Sequence, residues 1–259
     1  MSSFYDRLCA SSYRLCRRIF MPSLLNSQYV YRDALRNALG GAEGTWLDVG
    51  CGHDFLPPWV TAHDNGRLDD VQRWAIIGLD ADEAALRRHA GLRHRVLATA
   101  ERLPFKDGSV TLITANMVVE HVQHPQALFD ELGRVLADGG RAIVHTPNRT
   151  GYTTALARAI PARLLKPLAA ILLNRAAEDV YPTYYRANSE AALATCAADA
   201  GLTITDFAFL DSSPQFYRVP PLMVVELVFM RLLRVMQFSR LRPCLIAILE
   251  KPRRGTAGN

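Results

Sequence analysis

The stretch Trp46-Leu47-Asp48-Val49-Gly50-Cys51-Gly52-His53-Asp54 decides the fold. It reads as a short buried strand running into two glycines spaced G-x-G, followed by an apolar segment able to start a helix. A strand that ends in glycines leaves its backbone uncovered, so a ligand can come close while the N–H groups of the following helix face it. Further on, Ile76-Ile77-Gly78-Leu79-Asp80 repeats the pattern, an apolar strand ending in an acid. A carboxylate at the tip of the second strand is where a doubly wound sheet grips a ribose by its hydroxyls. The two strand ends together describe a nucleoside pocket.

A dinucleotide fingerprint needs G-x-G-x-x-G, and Phe55 stands where its third glycine belongs. No G-x-x-x-x-G-K-[ST] string occurs, so a P-loop is excluded. The run Leu47-Asp48-Val49-Gly50-Cys51-Gly52 instead resembles the first motif of class I S-adenosylmethionine (SAM)-dependent methyltransferases. The resemblance continues, in order and at the same spacing, through Gly78-Leu79-Asp80, Ala100-Glu101-Arg102-Leu103-Pro104-Phe105, Asp107-Gly108-Ser109, Glu120-His121-Val122 and Leu136-Ala137-Asp138-Gly139-Gly140. It covers residues 45–148.

The resemblance implies an α/β, Rossmann-like, doubly wound sheet of seven strands in the order 3-2-1-4-5-7-6, the last antiparallel, with SAM as cofactor. It implies a cofactor site made of Asp48, Gly50, Cys51, Gly52, Asp80, Ala81, Thr99, Ala100, Glu101 and Asn116. Within that set Gly50 and Gly52 admit the methionine part, Asp80 holds the ribose, and Ala100-Glu101 border the adenine. The family usually has Asp where Thr99 stands, so the adenine amine would meet a hydroxyl without charge assistance. It usually has Gly where Asp54 stands. Asp54 is placed to cap a helix over 55–62, or to bind the ammonium of the cofactor.

A chain of 259 residues can bury a sizeable core, as one domain with additions. The expected division is an N-terminal helical cap, 1–41, and a SAM-binding domain, 42–259, with helical insertions at 151–187 and 211–243. Charge follows that division. Residues 1–20, 149–186 and 218–254 carry +3, +4 and +6, which leaves −8 on the remainder. Basic additions on an acidic core point to an anionic partner, a membrane surface or an acidic substrate, unless the cations only solvate helix faces. Five cysteines with no C-x-x-C pair suit a reducing, cytoplasmic compartment and give no metal framework. No apolar run reaches a membrane-spanning length, and the N-terminus lacks the apolar core of a secretory signal. Its Arg- and Ser-rich composition also fits a mitochondrial presequence.

Residues 3–20 place Phe4, Leu8, Leu15 and Ile19 at helical spacing, with Arg7, Arg14, Arg17 and Arg18 on other faces. A second helix runs from Tyr29 to Leu39, ended by Gly40-Gly41. In the resembling family such helices cover the cofactor, which makes Tyr29 and Tyr31 lid candidates beside the plainer reading of packed tyrosines. Asp82 and Glu83 open a helix reaching Ala90, and strands are expected at Arg95–Ala98 and Val110–Ala115. Asn116 lies at the mouth of the site. A helix from Pro125 to Leu136 should stop at Gly139-Gly140, before a fifth strand from Arg141 to His145.

Methyl transfer rests chiefly on in-line placement, and a hydroxyl acceptor also benefits from a base that takes its proton. His121 is the candidate base, or else a hydrogen-bonded residue at a helix start. His124 and His145 have weaker claims, and a Glu120/His121 metal site finds no further ligand. The family reads its acceptor after the fifth strand, where Tyr181, Tyr184, Tyr185 and Arg186 stack on substrate or pack as a turn. Residues 211–243 interrupt a hairpin with an apolar helix, Leu222 to Phe238, whose Glu226, Arg231, Arg234 and Gln237 share one arc. That helix, like 153–175, either buries its apolar face or lies in a membrane interface.

These features lead to methyl transfer from SAM to a small-molecule or lipid-linked acceptor, at oxygen, with peripheral membrane contact. Two alternatives stand beside it. A non-catalytic binding or scaffold protein of the same fold accounts for Asp54 and Thr99. Nucleic-acid methylation accounts for the pI of about 9.1, but Asn116-Met117-Val118-Val119 lacks the N/D-P-P-[YF] string of base-modifying enzymes, and no nucleic-acid partner is expected.

Overall fold

The computed structural model describes residues 4–61, 71–89, 91–159 and 182–253. Seven strands form one sheet in the order β3-β2-β1-β4-β5-β7-β6. They are β1 (Gly44–Val49), β2 (Trp74–Asp80), β3 (His94–Leu97), β4 (Val110–Asn116), β5 (Leu136–Pro147), β6 (Thr203–Leu210) and β7 (Cys244–Glu250). The first five are parallel neighbours. β7 runs the other way: Lys251 N–H, past its end, reaches Gly140 early in β5, while Asn148 N–H, past the end of β5, reaches Pro243 before β7 starts. The expected architecture is the observed one.

The register explains where a site can form. Val49 pairs with both Leu79 and Ala115, and Asn116 pairs with His145. The carboxyl ends of β1, β2, β4 and β5 therefore finish level, which is where ligands bind in open α/β sheets. The innermost strands are buried without a break from Trp46 to Val49 and from Leu112 to Ala115, as strands covered on both faces must be.

By packing, the chain divides into two compact units. One gathers Met1–Ser27, Asn148–Pro182 and Phe209–Cys244; the other gathers Gln28–Pro147, Thr183–Ala208 and Leu245–Asn259 and holds most of the sheet. The sheet unit contains α2 (Ser27–Leu39) except its first residue, α3 (Pro58–Thr61), α4 (Glu83–Arg88), α5 (Pro125–Val135) and α7 (Glu190–Asp199). Asp82 caps α4 by accepting the amides of Ala84 and Ala85.

The helical unit contains α1 (Phe4–Phe20), α6 (Tyr152–Ala159) and α8 (Pro220–Val235). Met21, Leu24, Met223, Leu227 and Met230 form its core, closed by Tyr13, Cys16, Phe20, Tyr152 and Tyr217. α8 carries both buried apolar residues and a buried polar one. Its polar arc does not face water as a unit. Glu226 is buried and accepts the Tyr152 hydroxyl (2.8 Å) and the amides of Gln215 (2.9 Å) and Phe216 (3.0 Å). Arg234 pairs with the buried Asp211. The helix turns these polar groups inward and a row of aliphatic side chains outward.

Two local expectations are corrected. Asp54 caps nothing, because Pro57 and Pro58 delay the helix, which begins only at Pro58. Gly139-Gly140 does not end a helix: α5 stops at Val135 and β5 begins at once. Its register then jumps from Val110↔Leu136 to Leu112↔Arg141. The glycines thus lie in a bulge that β5 makes against β4, where Gly139, at φ 77°, also donates its amide to the carbonyl of Lys251 (2.8 Å), just past β7.

Candidate functional site

Gly50 and Gly52 both sit at positive φ, 65° and 55°. The amides of Gly50 and Cys51 donate to the carbonyl of Leu79 at 2.7 and 3.1 Å, which carries the β1 ladder one step past the strand. The Gly52 amide then donates to Asp80 Oδ2 at 2.8 Å, while Asp80 Oδ1 accepts the Asp82 amide at 2.8 Å. Each carboxylate oxygen keeps a lone-pair direction for a further donor, such as a ribose hydroxyl. A Cβ on Gly52 would meet nothing within 4 Å, so the bare backbone faces open space. A Cβ on Gly50 would lie 2.5 Å from Val118 Cγ2. Cys51 contributes backbone only: burial, with Asp48 and Asp80 nearby, pushes its thiol up to about 12. Ala81 follows directly, between Asp80 and the cap of α4.

Behind this loop lies a buried polar chain. The Trp46 indole donates to Thr114 Oγ1 (2.8 Å), and that hydroxyl donates to Asp48 Oδ1. Burial raises the Asp48 carboxyl to about 7, against the lowering effect of the Thr114 hydrogen bond. Next to it, Asn116 and Gln28 exchange amide hydrogen bonds at 3.0 and 3.3 Å. Asn116 Oδ1 also faces His145 Nδ1 at 2.7 Å. Because that oxygen can only accept, His145 carries its proton on Nδ1 and leaves Nε2 as an acceptor, buried without a partner among the described residues. Burial lowers the His145 imidazole to about 3. Tyr31 is fully buried and stacks on it, with ring centroids 5.7 Å apart, so it is a packed tyrosine. Tyr29 meets Trp59 edge-on at 5.6 Å.

After β3, Thr99 is exposed and Ala100 half-buried, at the turn into Glu101. The Glu101 carboxylate accepts the His124 amide at 2.6 Å and so ties this loop to the start of α5. The segment 103–107 is clamped from α5. Glu131 accepts the Leu103 amide, and Arg134 binds the carbonyls of Leu103 and Phe105, the Asp107 carboxylate and Glu131 itself. Thus the Leu103–Ser109 motif works as a brace that holds the loop beneath Thr99–Glu101.

On the far side of the β4 end, Met117 takes φ 59° and the chain turns through Val119–His121. Glu120 is buried; its Oε2 accepts the Thr146 hydroxyl (2.8 Å), which in turn accepts the Asn188 amide (2.6 Å). The Glu120 carbonyl accepts the amides of Tyr184 (2.7 Å) and Tyr185 (3.4 Å). Arg186 donates to the Gln123 carbonyl at 2.9 Å and lies over the Tyr184 ring at 5.8 Å. The structure therefore brings His121, Tyr184, Tyr185 and Arg186 together; Tyr181 lies outside the described residues. His121 is part-exposed, with Nε2 3.9 Å from Glu120 Oε1. No cluster of three or more His, Cys, Asp or Glu able to hold a metal occurs among the described residues. Thr146, Asn188 and Gln28 carry no sequence motif that marks their contacts, and the Glu120-His121-Val122 motif does not reveal that the Glu120 carboxylate binds Thr146.

Comparison with known proteins agrees with this geometry. A family described as "Methyltransferase domain" matches residues 24–206. A probable S-adenosylmethionine-dependent methyltransferase of Mycolicibacterium smegmatis is 33% identical over 113 residues, 41% of this chain and 39% of that protein. The demethylmenaquinone methyltransferase of Streptomyces griseus is 39% identical over 67 residues, 23% of this chain and 29% of its own. The chain thus spans well under half the length of these curated relatives. Among solved structures, geranyl diphosphate C-methyltransferase from Streptomyces coelicolor A3(2), in complex with Mg2+, geranyl-S-thiolodiphosphate and S-adenosyl-L-homocysteine, shares the fold. Its TM-score is 0.51 at 17% identity, over 86% of this chain and 75% of the other.

Proposed function

The chain belongs to the class I SAM-dependent methyltransferase family, and from that premise we propose that it methylates a small-molecule or lipid-linked acceptor, at oxygen. The observation that carries the reading is the Gly52–Asp80 hydrogen bond beside open backbone. SAM fits that cradle, and when bound it supplies an electrophilic methyl group. The Asp80 oxygens accept the ribose hydroxyls, the loop Gly50-Cys51-Gly52 lies along the amino-acid part, and Thr99, Ala100 and Glu101 border the base. Asn116, held by Gln28 and His145, keeps the strand ends rigid around the ligand.

His121 would take the proton of the acceptor hydroxyl as that oxygen bonds to the methyl carbon and the carbon–sulfur bond of the sulfonium breaks, releasing the neutral thioether, with Glu120 beside the imidazole. Tyr184, Tyr185 and Arg186 receive the acceptor, with Tyr181 as a fourth member of that group. A lipid-linked acceptor is supported by the likeness to a demethylmenaquinone enzyme. It is also supported by apolar faces that the helical unit leaves exposed, which favour peripheral membrane contact. No helix among the described residues is long and apolar enough to cross a membrane. Five free cysteines fit a cytoplasmic setting.

The deciding experiment incubates the protein with cell extract and isotopically labelled SAM and follows label by mass spectrometry. A labelled O-methyl product, lost in His121→Ala, is expected. SAM binding without any labelled product would instead favour the non-catalytic reading.

A further inference from the structure

We propose that α1 and α8 together form a docking surface for an anionic lipid bilayer. The proposal deepens the lipid-linked reading above but rests on different residues from those of methyl transfer. The two helices lie side by side in one unit and run parallel. Tyr5 donates to the Arg218 carbonyl at one end, and Arg231 reaches the Phe20 carbonyl at 3.4 Å at the other.

Each helix shows its partner one face and solvent a different kind of face. On α1, at about 100° per residue, Tyr13, Cys16 and Phe20 point to the core shared with α8. Phe4, Leu8, Leu15 and Ile19 line a second, exposed stripe, with Phe4 at 76% of full exposure. Arg7, Arg14 and Arg18 line a third, also exposed. On α8 the outward arc carries Leu222, Val225, Phe229, Leu232 and Val235, with Met236 at its end, and no charged residue interrupts it. Val225 and Val235 reach 65% and 72% exposure.

A helix made for water on its outer side keeps that side polar, whereas α8 buries Glu226 among Met223, Leu227, Met230 and Leu233 and exposes an aliphatic row as well. An apolar stripe beside a row of arginines is the pattern that settles at a bilayer interface, side chains in the acyl boundary and guanidinium groups at the phosphates. The charge decides the occupant. A second copy of the chain would bring its own arginine row against this one, whereas anionic headgroups neutralise it. α1 supplies a basic and an apolar stripe, α8 a broad apolar face, and two such elements together fit stable rather than marginal adsorption.

The test uses the full chain and sedimentation with vesicles of phosphatidylcholine, with and without phosphatidylglycerol, at low and high salt. The wild type is expected to sediment with the anionic vesicles and to lose much of that binding at high salt. The triple variant Arg7→Ala, Arg14→Ala, Arg18→Ala should bind anionic vesicles on the order of a hundredfold more weakly. The double variant Val225→Asp, Phe229→Asp should lose binding to both kinds of vesicle. Calorimetry with SAM serves as the control, since all variants should keep wild-type cofactor affinity. Absence of wild-type sedimentation, or undiminished binding by both variants, overturns the proposal. So does a concentration-dependent dimer in light scattering that Val225→Asp, Phe229→Asp abolishes, because the face then belongs to a second copy. Formation of labelled product is scored separately and can fail without affecting this result.

Discussion

Asp80 and Gly52, 28 residues apart, are joined by a 2.8 Å hydrogen bond from the glycine amide to carboxylate Oδ2. One side chain thereby sets the shape of the glycine loop and faces the ligand. Asp80→Ala should weaken SAM binding tenfold or more and also lower stability by about 1–2 kcal/mol, the cost of freeing two part-buried amides. Asp80→Asn retains acceptor oxygen and should lose affinity with a smaller change in stability. Calorimetry paired with thermal melts separates the two effects, and unchanged affinity in the alanine variant would sink the ribose assignment.

Gly50 and Gly52 should respond differently to alanine. At Gly50 the new methyl collides with Val118, so both stability and binding fall. At Gly52 it enters open space, so stability drops only by the positive-φ cost of about 1 kcal/mol. The ligand loses its approach to the backbone there. Melting temperature near wild type with strongly reduced SAM affinity is the expected signature of Gly52→Ala.

Asp48 and His145 give opposing pH dependences. The folded Asp48 carboxyl titrates near 7, well above an unfolded aspartate, so the folded chain holds a proton the unfolded chain has released. Raising pH from about 4 to 7 therefore removes stability through this group. His145 titrates near 3 when folded, below an unfolded imidazole, so its contribution is full above about 6.5 and is lost as pH falls toward 3. In the ligand-free protein the two slopes offset each other between about pH 4 and 6.5. Asp48→Asn should unmask a stability that rises with pH over that window, and His145→Gln one that falls. Urea midpoints at half-unit pH intervals read both signs, and parallel profiles for the two variants would contradict the argument.

Glu226 anchors the helical unit through three donors, from Tyr152, Gln215 and Phe216. Glu226→Ala strands all three and should cost about 3 kcal/mol or more, whereas Glu226→Gln keeps one acceptor oxygen and should cost less. Chemical denaturation checks the order; equal stability of both variants with wild type would mean the buried carboxylate is idle.

The sheet was legible in the sequence because its signals are local: a β-branched run, two glycines, an acid at a strand tip. Asp80 and Gly52 stand out as candidates on those signals, and the register Val49↔Leu79 brings them within hydrogen-bond reach. What escaped depends on distance along the chain. The chain Glu120–Thr146–Asn188 joins residues 26 and 42 positions apart with no spacing rule to reveal it. Periodicity grouped the faces of α8 correctly but could not tell inside from outside, because Glu226 is satisfied by amides of a preceding loop. Gly139-Gly140 reads as a helix stop because its contacts, β4 across the bulge and Lys251 past the last strand, are distant in the chain.

The pairing of α1 with α8 also sets the order in which the molecule can be completed. Tyr5 meets the carbonyl of Arg218, 213 residues later. A ribosome adding about 5–20 residues per second needs roughly 10–40 s to cover that interval. Throughout it the nascent α1 has Tyr13, Cys16 and Phe20 without the methionines that will cover them. The helical unit therefore closes late, and only β7 of the sheet, which follows α8 in the chain, is made after it. During synthesis its first helix is the segment most in need of a chaperone or of some other apolar surface.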